Sequence, residues 1–134
     1  MNVQRKILTV AALVEMATGF ALMVAPALVA RLLLSSSVLP QGIAIARIAG
    51  VALLAFGLAC CQSPKQPGNR PEVFGAMLLY NTLIASYLAF LGVARHVDAL
   101  LLWPAVVVHA GVALALLVTF ARTRGSPASP VPRV

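Results

Sequence analysis

Charge is scarce in this chain. Of 134 residues only thirteen are charged: ten Lys or Arg, and three acids, Glu15, Glu72 and Asp98. A water-soluble domain of this length needs a polar shell around its core, and thirteen charges cannot supply one. Disorder is equally disfavoured, because it requires low hydrophobicity and high charge, whereas 61% of these residues are hydrophobic and the mean hydropathy is +0.98. Chemistry-bearing residues are also few. The two cysteines, Cys60 and Cys61, are adjacent, which is neither a C-x-x-C redox spacing nor a metal-ligand pattern. The two histidines, His96 and His109, do not make a bis-histidine haem site across helices. Paired carboxylates, a Gly-rich phosphate loop and a nucleophile elbow are all lacking. Nothing in the chain reads as an enzyme active site, a metal site or a cofactor site.

What is present is long apolar runs. Measured against a hydrocarbon core of about 30 Å, which takes roughly 20 residues of helix, four stretches qualify: Ile7–Ala25, Ile43–Cys61, Val73–Val93 and Ala99–Ala121. The expected fold is all-α, an integral membrane four-helix bundle over residues 1–124, with 125–134 a disordered cytoplasmic tail. The excess of positive charge, +7, forms no basic stripe with interleaved aromatics, so nucleic acid is not the partner implied. It reads instead as topology. Arg5, Lys6, Lys65, Arg70, Arg122, Arg124 and Arg133 flank the spans on one side, Arg31 and Arg95 on the other, which predicts cytoplasmic N- and C-termini in a multi-pass protein of the inner membrane. The basic start and Ala25-Pro26-Ala27 suggest a signal peptide, but the first apolar run is too long and carries Glu15, so a retained anchor is expected.

Punctuation divides the runs. Pro26 is expected to end or kink the first helix, with Ala27–Leu34 a short interfacial helix from which Arg31 reaches toward headgroups. Gln62–Glu72, with three prolines, reads as a polar loop. Ala94–Asp98 is short enough to fold spans three and four into an antiparallel hairpin.

Polar groups inside spans are costly and face the bundle interior, so they are where function is sought. Each span carries one: Glu15, Arg47, Asn81 and His109. At 1.5 Å per residue, Glu15 and Asn81 lie about 12 Å from the cytoplasmic ends of their spans, His109 about 15 Å and Arg47 about 6 Å from the outer ends of theirs. Helical spacing groups Glu15 with Ala11, Thr18 and Gly19, groups Arg47 with Gly50, Leu54, Gly57 and Cys61, and aligns Tyr80, Asn81, Ile84 and Tyr87. The expected site is a ligand-binding or proton-relay cluster of Glu15, Arg47, Tyr80, Asn81, Tyr87 and His109. Two uses suit it. In the first, a non-enzymatic protein, an accessory subunit or a binder of a small amphiphile such as a quinone or lipid, sets Arg47 against a polar head and the Tyr80–Tyr87 face against a ring. In the second, a proton-coupled transporter uses Glu15 as its proton carrier, with His109 as relay partner. A purely structural Glu15–Arg47 ion pair is the third reading. Small residues at Ala17, Ala21 and Ala25 and at Gly111 and Ala115 offer contacts within the bundle or between copies in a homo-oligomer.

Ala11-Ala12-Leu13-Val14-Glu15 resembles the first span of small multidrug resistance transporters, whose carboxylate exchanges protons for cations; Arg47 and the charge bias depart from that pattern. Leu13–Gly19, Ala46–Leu54 and Tyr80-Asn81 followed by Tyr87–Gly92 resemble small, largely uncharacterised bacterial membrane proteins of DoxX-like type. That resemblance implies four helices in the cytoplasmic membrane and an accessory role, and it transfers no catalytic residue.

Overall fold

The structure, a computed structural model, describes residues 3–61 and 71–124. The middle loop over 62–70 and the tail over 125–134 lie outside the described residues, and with them the expectations placed on Lys65, Arg70 and Arg133. The described chain is all-helical: α1 (Val3–Val24), α2 (Pro26–Leu34), α3 (Pro40–Cys61), α4 (Pro71–Ala94) and α5 (Leu102–Arg124). Four of these, all but α2, are long and apolar enough to cross a membrane.

Three helices open on a proline, whose missing N–H falls among the donors that a first turn leaves unpartnered. Ala25, the residue before Pro26, is driven out of helical geometry to φ −135°, ψ 56° by the ring that follows it, so the chain turns there and α2 starts as the sequence predicts. Ser35, at φ 51°, closes α2 in the left-handed region and donates its N–H to the Arg31 carbonyl. Pro71 and Glu72, expected in the loop, are instead the first turn of α4, where an acidic side chain is favoured by the helix dipole. The fourth span starts three residues later than the hydropathy indicates, at Leu102. Residues 95–101 are held by α2: Leu101 N–H donates to Leu32 O at 2.8 Å, and the Ser35 hydroxyl donates to the Asp98 carbonyl.

The helices pack as two pairs, α1 on α3 and α4 on α5, and α1 is the long helix that touches all the others. The first pair is tight because glycine meets glycine. A Cβ built on Gly50 would stand 2.6 Å from the Gly19 carbonyl oxygen, and one built on Gly19 would stand 2.7 Å from that of Gly50. Small residues at such a crossing let backbones approach, which replaces the hydrophobic drive that hydrocarbon does not supply.

Polarity is distributed inside out. Ala11, Ala12, Cys60, Met77 and Leu116 form one apolar cluster, and Leu88, Ala99 and Leu102 form another. One turn or more along α1, α4 and α5 from the first cluster lie the buried polar residues Glu15, Asn81 and His109. Meanwhile Phe20, Ile45, Ile48, Leu79, Val107 and Leu114 are among many large apolar side chains left exposed. Water does not tolerate such a continuous apolar surface on a monomer; hydrocarbon does. The exposed hydroxyls of Thr82 and Ser86 donate to the carbonyls of Leu78 and Thr82 one turn back in α4, which satisfies them without solvent.

Candidate functional site

The polar layer is built from three helices. Asn81 sits on the buried stripe of α4 with Met77, Ala85 and Leu88, four, four and three residues apart as one helix face requires. Its amide Nδ2 donates to the Met77 carbonyl at 2.9 Å, which aims Oδ1 toward α5. There it lies 2.9 Å from His109 Nδ1. A carbonyl oxygen only accepts, so Nδ1 carries the hydrogen and donates it.

Glu15 comes from α1 on the opposite side. Its Oε1 is 3.8 Å from His109 Nδ1, an ion-pair separation but beyond hydrogen-bond reach. The side chain is 1% exposed, as is that of Asn81, and His109 is 8% exposed. Neither Glu15 oxygen has a hydrogen-bond partner among the described residues. The Tyr80 hydroxyl stands beside the same carboxyl, without reaching hydrogen-bond geometry, and the Tyr80 ring meets the His109 ring edge-on with centroids 6.0 Å apart. Phe56 of α3 also packs against the Tyr80 ring, with centroids 5.6 Å apart. The site is thus a buried carboxyl facing an imidazole, with an amide fixing the imidazole and two aromatic rings closing one side.

Four of the six residues expected at the site, Glu15, Tyr80, Asn81 and His109, are brought together; Arg47 and Tyr87 are not. Arg47 is exposed. The buried stripe of α3 is Gly50, Gly57 and Cys60, and at 100° per residue Arg47 stands about 60° round from Gly50, on the side away from Cys60. No ion pair between Glu15 and Arg47 forms; the one ion-pair contact among the described residues is that of Glu15 with His109. Tyr87 is 60% exposed, about 120° round from Asn81. The i, i+3 and i+4 spacing that grouped these residues is satisfied by stripes on either side of a helix, and only the neighbouring helix chooses between them. Phe56 carried no signal in the sequence beyond being one more apolar residue in a span.

Among the described residues no donor, the neighbouring Tyr80 hydroxyl included, reaches hydrogen-bond geometry with the carboxyl. Leaving a buried polar group unpaired costs about 1–3 kcal/mol, more for a charge, so a proton or a ligand N–H or O–H delivered to either Glu15 oxygen relieves that cost. Among the described residues no group of three His, Cys, Asp or Glu side chains is placed to hold a metal ion. No family model, curated protein or solved structure matches this chain.

Proposed function

We propose that this is a non-enzymatic multi-pass protein of the inner membrane whose working centre is the Glu15–His109 pair, with Glu15 loading and releasing a proton as the carrier group of a small proton-coupled transporter. The observation that carries this reading is the Glu15 carboxyl, buried between α1, α4 and α5 with neither oxygen hydrogen-bonded among the described residues and an imidazole 3.8 Å away. Ionisable groups at membrane depth that serve packing alone are expected to be paired and hydrogen-bonded, whereas Glu15 accepts no hydrogen bond from the described residues. His109, its Nδ1–H held by Asn81, sets a polar N–H group 3.8 Å from the carboxyl, and Tyr80 adds a hydroxyl on the same side.

The reading of the centre as the seat of a small amphiphile, a quinone or a lipid, in an accessory subunit of DoxX-like type used Arg47 for the head and the Tyr80–Tyr87 face for the ring. With only Tyr80 at the centre, that reading has less support.

The chain has three carboxyl side chains, which makes the test clean. Infrared spectra of the protein in lipid, recorded across a pH titration, are expected to show a protonated-carboxyl stretch that Glu15→Gln removes, while Glu15→Gln keeps its helical content. A titrating band that survives the substitution, or none at all, refutes the proposal. Co-purification of a stoichiometric quinone displaced by Glu15→Gln would favour the amphiphile reading instead.

A further inference from the structure

Between α1 and α5 runs an open groove of about 390 Å³. Ile7 and Val10 wall it from α1, and Val107, Gly111 and Ala115 from α5; its one charged lining residue is Lys6. Ile7 and Leu8 pack with Leu116 and Val112 in one cluster, so the Lys6 end of the groove is level with Ala115 and the far end with Val107. From Val107 to Ala115 the groove spans about 12 Å of helix, close to the depth of one leaflet of a bilayer with a core of about 30 Å.

Gly111 sharpens the picture. Glycine in a helix interior costs about 0.8–1 kcal/mol relative to alanine, and the usual return is close packing. A Cβ on Gly111 would meet nothing within 4 Å. Among the described residues, no side chain or backbone fills the space its missing side chain leaves, which opens into the groove.

We propose that the groove is a binding site for one acyl chain of an anionic phospholipid, with the phosphate on Lys6 and the chain lying over Gly111 toward Val107. A trough one leaflet deep with a cation at its mouth matches that ligand in length, apolarity and charge. Zwitterionic lipids fill the same trough without the net charge that Lys6 selects. The inference rests on the membrane reading of the four spans and is independent of the Glu15 proposal.

Native mass spectrometry of the full chain, released from detergent after exposure to equal amounts of phosphatidylglycerol and phosphatidylcholine of identical chains, tests it. The wild type is expected to retain phosphatidylglycerol preferentially. Lys6→Gln should reduce that preference about fivefold, the effect of one surface cation near an anionic headgroup, and leave phosphatidylcholine binding unchanged. Gly111→Leu, which fills the trough, should lose both lipids. Glu15→Gln should alter neither, which separates failure here from failure of the proton proposal. Circular dichroism establishes that each variant is folded; should Gly111→Leu not fold, Val107→Trp at the other end of the trough replaces it. Equal retention of the two lipids by the wild type, or a preference unmoved by Lys6→Gln, overturns the proposal. So does a wild-type dimer that Gly111→Leu converts to monomer, since the groove would then be filled by a second copy.

Discussion

Placing one methyl group at four glycines separates the packing of this bundle from the intrinsic preference of its helices. At Gly50 a new Cβ would stand 2.6 Å from the Gly19 carbonyl oxygen, at least 0.8 Å inside the ordinary contact range that begins at 3.4 Å. The obstructing atom is backbone and cannot swing aside, so α1 and α3 must part along the face where they pack most extensively. Overpacking of this kind costs about 1–3 kcal/mol. Alanine returns about 0.8–1 kcal/mol in helix propensity over glycine, so Gly50→Ala is expected to lose up to about 2 kcal/mol net. Gly75 and Gly111 have nothing within 4 Å of a built Cβ, so alanine there collects the propensity term alone. The gap between the two classes, about 1–3 kcal/mol, is the overpacking cost with propensity cancelled. Gly19→Ala meets the same crossing from the other side, and Gly19→Ala with Gly50→Ala should cost less than their sum because the helices part only once. Unfolding by dodecyl sulfate from mild detergent, followed by far-ultraviolet circular dichroism and by the emission of Trp103, the single tryptophan, reads all five variants. Equal stability of Gly50→Ala and Gly111→Ala would refute the close α1–α3 crossing.

Two further substitutions bear on the polar layer. Glu15→Met keeps the volume and removes the unpaired carboxyl, so it is expected to raise the unfolding free energy by about 1–3 kcal/mol in the same assay while abolishing the titrating infrared band; a loss of stability would mark Glu15 as a packing device. His109→Leu strands the Asn81 Oδ1 that His109 now satisfies. In a double-mutant cycle with Asn81→Leu, the coupling is expected to lie near about 0.6 kcal/mol and no higher than about 1.7 kcal/mol, the average and the maximum for side-chain hydrogen bonds between membrane helices. A coupling indistinguishable from zero would show that the two side chains do not pair.

Much of the architecture was legible from one-dimensional patterns. Apolar runs of span length, prolines at the starts of helices and the Ala25–Pro26 break act through local sterics and burial, which a sequence carries explicitly, and they located four long apolar helices and a short connecting one. The start of the fourth span was missed, because hydropathy continues through Ala99–Leu101 while Leu32 and Ser35 draw that backbone away. Depth along a helix was equally readable, since 1.5 Å per residue is fixed by helix geometry. It put Glu15, Asn81 and His109 in one layer, where the structure has them.

Azimuth was not. Which side of α3 meets α1 is decided by where two glycines can let backbones touch, and that choice turned Gly50 and Gly57 inward and left Arg47 outside. The same kind of choice on α4, made by Asn81 reaching His109, left Tyr87 exposed. Composition and spacing therefore determined that the chain is a helical bundle with four helices long and apolar enough to span a membrane and a few interior polar groups, because burial and helix pitch are properties of each segment alone. Only the tertiary structure decided that Glu15 faces a histidine rather than an arginine, because a helix's rotation about its own axis is set by its neighbours.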